Sequence, residues 1–444
     1  MSAGLIVFSI TVTVALSAIA LVTLAWMLDA YRTPESFDRT HFVEVPGAEI
    51  DELQRRRQRQ HRRARGRRRY HQSIGPSFSL IIPARHEEAV LGATLDQLAS
   101  LRYRRFEVIA VVGHDDPGTT AVAHAAARRH SQIKVVIDAK TPKNKPKALN
   151  TALSACTGDI VGVFDAEDEV APDLLTHVAA VFRQEHADVV QGGVQLMNFE
   201  SSWWSMRNVL EYFFYFRSRL HAHARWGFIP LGGNTVFVKR RRLVEVGGWD
   251  EDCLAEDCDL GVRLSTAGAR VSVAYEARLA TREETPATIT DLVKQRTRWN
   301  QGFLQVLRKG AWRRLPTRRQ RLLAQFTLAF PFLQAAMFAL IPLSLLMVLV
   351  VGAPVALALF SFLPLIIVLV SIAAEAAGLA EFTRLYGMKA RPWHYAVLVL
   401  GTLPYQLILS FSAARAVVRT YRQQNEWEKT THVGAHRAPV EAAA

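Results

Sequence analysis

The chain has 444 residues, half of them hydrophobic, and 54 Lys and Arg against 40 Asp and Glu give a formal charge of +14. Its three cysteines (Cys156, Cys253 and Cys258) offer no paired framework, no Cys-x-x-Cys and no Cys/His metal spacing, which speaks against a disulfide scaffold or a zinc module and fits a reducing compartment.

Leu5–Leu28 carries no charge. A spanning helix needs about 20 apolar residues, so this run is long enough to cross a bilayer. It lacks a basic leader and exceeds the apolar length of a signal peptide, so it reads as an anchor over residues 1–30. Arg32 and the Arg-rich stretch 55–69 come soon after it, which by the Lys/Arg bias puts the N-terminus outside and the adjoining polar region in the cytosol. Residues 31–76 read as a basic linker. Tyr70 is the one aromatic flanking the Arg cluster, so there is no stacking platform for nucleic acid, and attraction to anionic lipid is the better reading.

From residue 77 to about 315 the pattern alternates. Ser79–Ala84, Phe106–Val112, Ile133–Ile137 and Ile160–Phe164 are short apolar runs of strand type. Glu88–Leu101, Thr119–His130 and Lys147–Ala155 between them have helical character. This order predicts an α/β fold with a doubly wound, mostly parallel sheet, whose ligands bind beyond the carboxyl ends of the strands. Those ends hold Arg85-His86-Glu87-Glu88, Asp115-Asp116 and Asp165-Ala166-Glu167-Asp168.

Asp165 and Glu167 lie two residues apart at a strand end, where two carboxylates can share a hard divalent cation; a solvated acidic turn is the plain alternative. Glu256-Asp257 precede a helical pattern over Leu260–Ala267 and either cap it or supply a proton acceptor. Gln295, Arg298 and Trp299 sit on an amphipathic helix, where Trp offers a stacking face and Arg or Gln can hold a diphosphate. Ser201–Gly227 is rich in Trp and Phe and reads as a core or interfacial helix.

Leu322–Ala374 is uncharged and about twice the length of one span, with a turn expected at Gly352 and Pro354. Tyr395–Ala414 is a further uncharged run, giving about four candidate spans in all, three of them in the C-terminal section 316–418. Arg384, Lys389 and Arg391 mark a cytosolic loop. A complete fourth crossing would put the basic tail, residues 419–444, outside; Gly401 and Pro404 instead allow a re-entrant or interfacial segment.

Taken together, Pro83-Ala84-x-x-Glu87, Lys145-Pro146-Lys147-Ala148-Leu149-Asn150, the acids after the fourth strand, Gly232-Gly233-Asn234, Glu256-Asp257 and Gln295-x-x-Arg298-Trp299, succeeded by apolar spans, resemble the family-2 glycosyltransferases of the cellulose, hyaluronan and chitin synthase type. The resemblance covers about residues 77–310. It implies a GT-A fold, a nucleotide-sugar donor, a divalent metal (Mg²⁺ or Mn²⁺), and inverting transfer to a growing glycan in processive polysaccharide synthesis at a plasma membrane with the catalytic domain in the cytosol; transfer of a single sugar to a lipid acceptor is the alternative, and a non-catalytic nucleotide-sugar-sensing membrane protein a further one. By this resemblance Pro83, Ala84, Glu87, Asp115 and Lys145 contact the nucleotide or diphosphate, and Asp165 and Glu167 hold the metal. Asp257 is the catalytic base. Gln295, Arg298 and Trp299 hold the diphosphate and stack near the acceptor, and Gly233, Asn234 and Glu256 line the acceptor site. Trp427–His432 loosely resembles a gating loop. The chain departs from the pattern in three places. Its metal motif is Asp-Ala-Glu, Ala255 stands where Thr or Ser is usual, and Gly113-His114 displace Asp115-Asp116 from the strand.

Overall fold

All four expected strands form in the computed structural model, which describes residues 3–29, 75–350, 363–426, 428 and 434–437. The Arg cluster 55–69, the turn at Gly352 and Pro354, and the residues of 427–432 other than Glu428 lie outside the described residues. Helix α1 (Ala3–Asp29) precedes β1 (Phe78–Ala84), α2 (Leu91–Ala99), β2 (Phe106–Gly113), α3 (Pro117–Arg129), β3 (Ile133–Asp138), α4 (Lys145–Leu153) and β4 (Ile160–Val163). Helix α4 starts two residues before the expected Lys147 because the Asn144 side chain accepts from the Lys147 amide at 3.0 Å and Pro146 suits the first turn.

The second half adds α5 (Leu174–Gln184), β5 (Val189–Gly192), β6 (Val194–Leu196) and α6 (Trp203–Phe214). A π-helical turn, Tyr215–Arg219, joins α6 to α7 (Leu220–Arg225). Then come β7 (Val236–Lys239), α8 (Arg240–Glu245), α9 (Glu256–Thr266), β8 (Val271–Ala274), β9 (Thr281–Glu283) and α10 (Ile289–Lys309). The main sheet has the order β3-β2-β1-β4-β7-β5-β8. Strand β7 runs antiparallel to both β4 and β5, and the other pairings of the main sheet are parallel. The chain leaves β1 in one direction for β2 and β3 and returns to its other side as β4, so the topological switch point lies between β1 and β4. Because Val236 pairs with Val163, β7 enters the sheet where β4 leaves it, and Gly232-Gly233-Asn234 arrive beside the β4 acids.

Alternation along the strands divides the core between two faces. Ile81, Ile109, Val111, Val161 and Val163 face α4, α6 and the C-terminal apolar helices. Leu80, Ile82, Val108, Ala110 and Val112 belong to the other face, with Leu91, Leu95, Ala123 and Leu174. The first cluster also takes in Met27, Leu379, Phe382 and Leu398, so the apolar helices share one core with the sheet.

Those helices are α1, α11 (Arg318–Val350), α12 (Leu363–Leu385) and α13 (Pro392–Tyr421), and four of the described helices are long and apolar enough to cross a membrane. Helix α12 closes on α6 at Gly378, where a Cβ would lie 2.4 Å from the Phe214 ring. Helix α13 continues through Pro404 without a break. Its buried positions, His394, Leu398, Gly401, Tyr405, Leu409, Ala413, Ala416 and Thr420, form a stripe along its whole length. Both of its ends rest on the α/β domain. The His394 and Phe199 rings are 5.2 Å apart, and Gln301 of α10 donates to the Gln424 carbonyl at 2.6 Å.

Helix α10 is held against the loop before α9 by a glycine. A Cβ on Gly302 would lie 2.4 Å from the Ala255 Cβ and 2.6 Å from its nitrogen. Gly302→Ala should therefore lose roughly 1–3 kcal/mol to overpacking, measured as a lower denaturation midpoint in detergent.

Candidate active site

A cavity of about 1370 Å³ begins at the carboxyl ends of β1 and β4 and continues among residues of α1, α11, α12 and α13. Its polar end is set by the switch point, and its apolar end by the helices that share the sheet's core.

The turn after β4 arranges its acids unequally. Asp165 and Glu167 line the cavity. Asp168 is fully buried and turns inward, accepting from the Asp165 amide at 2.8 Å and from the Asn234 side chain at 3.1 Å. Burial, and then Glu283, Asp165 and Glu167, hold the Asp168 carboxyl well above its usual range. Asn234 also bonds Glu283, which lines the same wall. Such a surplus of carboxylate oxygens suits a hard divalent cation. From behind, Arg437 fixes this turn. Its guanidinium donates to the Glu167 and Asp168 carbonyls, both at 2.8 Å, to Thr94 Oγ1 at 2.6 Å and to the Val90 carbonyl at 3.3 Å.

Lys145 connects three parts of the site. Its ammonium bonds Asp165 and donates to the Gly233 carbonyl at 3.0 Å. Burial opposes its charge, but Asp165, Glu256 and Asp257 outweigh burial and raise its pKa. Gly233 also approaches Asp257 closely, and a Cβ there would lie 3.1 Å from the Asp257 carboxylate. Helix α9 begins four residues before the expected Leu260, which places Glu256 and Asp257 in its first turn. Asp257 accepts from the Cys258 amide at 2.7 Å. Burial, and next Asp257, push Glu256 up to about 7. Burial raises Asp257 as well, against the pull of the Cys258 amide, Lys145 and Arg298.

Helix α10 supplies Gln295, Arg298 and Trp299, all lining the cavity. Arg298 faces Glu256, Asp257 and Asp165. The Gln295 side-chain oxygen is buried without a partner among the described residues. Trp299 lies beside Tyr212 with ring centres 6.2 Å apart, and the Arg296 guanidinium sits 4.6 Å over it. Arg296 in turn grips Glu211 at 2.8 and 2.9 Å and Asn208 at 2.5 Å, and Tyr405 donates to Glu211 at 2.8 Å. This bracket ties α10 to α6 and α13.

Pro83, Ala84 and Glu87 line the cavity at the end of β1. Asp115 does not. It pairs with Arg85 at 2.9 Å, and its neighbour Asp116 caps α3 by accepting from the Thr119 amide at 3.2 Å. Gly113, Asp138, Lys143 and Asn144 form that wall instead. Asp138 ends a predicted strand, so the strand-end rule applied to β3 would have found it. Arg207, Glu211 and Arg296 were hidden in apolar or motif-flanking stretches.

The sequence profile described as "Glycosyltransferase like family 2" matches residues 76–302, about half the chain. The chain belongs to this family. Among curated relatives, a beta-monoglucosyldiacylglycerol synthase of Synechocystis is 33% identical over 233 residues, 52% of this chain and 48% of its own length. A poly-beta-1,6-N-acetyl-D-glucosamine synthase of Staphylococcus epidermidis is 26% identical over 285 residues, 64% and 67% of the two chains. The glycosyltransferase thus spans about half the length of the first curated relatives it matches. In fold it is similar to a mannosyltransferase from Pyrobaculum calidifontis solved with GDP-Man and Mn²⁺, with TM-score 0.57, 18% identity, and 94% and 99% of the chains covered.

A raised carboxyl takes up its proton at a higher pH, so a base drawn from the Glu256–Asp257 pair is lost as pH falls. Because burial raises Asp257, donor turnover should decline with falling pH above the ordinary carboxylate range near ~4. Glu256→Gln removes the like charge and should shift this acid limb downward in a pH–rate profile.

Proposed function

We propose that this glycosyltransferase moves one sugar from a nucleoside-diphosphate sugar to a hydroxyl of a membrane lipid, with inversion at the anomeric carbon. The observation that carries the reading is the continuity of the cavity, from the strand-end acids past Asp257 and Trp299 to Leu16, Ile19, Met337 and Val368 of the apolar helices. An acceptor can keep its tail in the apolar end while its hydroxyl reaches Asp257. The relative named for monoglucosyldiacylglycerol synthesis agrees with such an acceptor.

In this reading Pro83, Ala84 and Glu87, with Asp138 and Lys143 opposite, hold the nucleoside. Asp165 and Glu167 are the residues that would hold Mg²⁺ or Mn²⁺, a donor set of oxygens that suits either ion. The ion's contribution is to neutralise the departing diphosphate. Lys145, Gln295 and Arg298 hold the diphosphate. Asp257 accepts the acceptor hydroxyl's proton while that oxygen bonds the anomeric carbon and the bond to the diphosphate breaks. Gly233 leaves room beside Asp257. Asn234 and Glu256 shape the acceptor side, and Trp299 gives the sugar a stacking face. Helices α1, α11 and α12 cross the plasma membrane, with the catalytic domain in the cytosol and α13 at that surface.

A second reading, chain elongation of a glycan, is favoured by Gln295-x-x-Arg298-Trp299 and by the Staphylococcus relative. Product mass separates the two. Full-length protein in nanodiscs, given UDP-glucose, UDP-N-acetylglucosamine or GDP-mannose with Mg²⁺ or Mn²⁺, should yield lipid carrying one sugar, and a ladder of lengths would overturn this. Asp257→Asn should lower kcat by about 100- to 10,000-fold, and full activity in that variant would sink the mechanism.

A further inference from the structure

Most cations along the cavity face a carboxylate. Lys145 has Asp165, Arg207 has Glu375 at 2.6 Å, and Arg296 has Glu211 at 2.8 Å. Arg298 faces Glu256 and Asp257. Arg219 differs. It lines the cavity, yet among the described residues no carboxylate pairs with it, and its Nε is buried without a partner. The acid whose charge acts on it, Glu211, already has one oxygen on Arg296 and the other shared between Arg296 and Tyr405. The Tyr215 hydroxyl is also engaged, donating to the Pro230 carbonyl at 3.1 Å.

The side chain is nonetheless held in place. Its guanidinium stacks 4.2 Å from the Trp26 ring centre and 5.9 Å from that of Tyr215. Trp26 is itself fixed, because Ser218 bonds its carbonyl and Arg225 pairs with Asp29 at the end of α1. Arg219 closes the π-helical turn, a local widening that often re-aims a functional side chain. Trp26 lies three residues from the end of an apolar helix, the depth at which Trp meets lipid headgroups. Arg219 is half-buried with its Nε out of water, and a guanidinium so placed without a counter-charge is costly, while phosphate is the anion whose geometry it matches best.

We propose that Arg219 binds the phosphate of a lipid headgroup at the membrane end of the cavity, so that the lipid seated there is a phosphate ester rather than a neutral glyceride. This rests on the lipid-acceptor reading above. The shared chemistry is a lipid phosphate, which belongs either to the acceptor itself or to a bilayer phospholipid beside it.

The test is native mass spectrometry of the full chain in detergent, titrated separately with phosphatidylglycerol, diacylglycerol and glycerol 3-phosphate, for wild type, Arg219→Gln and Arg219→Lys. The thermal shift on adding UDP with Mn²⁺ reports whether each variant is folded. Arg219→Gln should weaken phosphatidylglycerol binding about 10-fold, the loss of one charge-assisted contact, with Arg219→Lys between and diacylglycerol unaffected. Equal phosphatidylglycerol binding in all three proteins overturns the proposal, as does an equal loss for diacylglycerol, and either leaves the lipid-acceptor reading standing. Glycerol 3-phosphate competing as well as the lipid also overturns it, giving the site to a soluble phosphate. Adding donor then identifies the source, since sugar on phosphatidylglycerol makes it the acceptor, and sugar on another lipid that still requires it makes it the neighbour. Donor cleavage with no lipid of any class bound or glycosylated defeats the earlier reading instead.

Discussion

The part-buried ammonium of Lys145 is the contact on which the site depends. It bonds the first acid after β4, donates to the backbone of the Gly232-Gly233 loop, and offsets part of the charge on Glu256 and Asp257. These belong to three separate parts of the chain. Parallel strands bring the first into place, the antiparallel entry of β7 brings the second, and the close seating of α10 on Ala255 secures the third. So many carboxylates gathered out of water are stable only with cations among them. The sheet topology thus serves to collect opposite charges at one switch point.

The apolar helices are not an appendage. Leu379, Phe382 and Leu398 pack in the same cluster as Ile81 and Val163, and Arg207, Glu211 and Arg296 bind α6 to α10, α12 and α13 through buried polar contacts. A helix that presents one stripe to a protein domain and the rest outward can lie along a bilayer surface without crossing it. Helix α13 presents such a stripe, and it is also long and apolar enough to cross.

Much of this was readable in the sequence because buried parallel strands are short apolar runs that stop abruptly, and residues just past the stops of β1 and β4 line the cavity. Asp165, Glu167 and Glu87 were picked out in that way and line the cavity, whereas Pro83 and Ala84 came from the family resemblance. Asp115 shows the limit of motif matching, since two inserted residues turned it to Arg85 while Asp138, at the next strand end, took the wall. Strand β7 was missed because three apolar residues and a lysine are too short a run to reveal a strand or its direction. Hydropathy does not show which apolar helices pack on the domain, so the contacts of α13 with Phe199 and Gln301 were not legible. The isolation of Arg219 depends on a π turn and on Trp26, nearly two hundred residues away, neither of which has a local signature.

Arg437 gives the chain a particular order of completion. The carbonyls it grips belong to residues 270 and 269 positions earlier. A nascent chain therefore carries every acid of the β4 turn long before it carries the residue that braces that turn. The pocket acquires its final support only once residue 437 has been made, so a product truncated before it can hold the full set of acids and still lack the brace behind them.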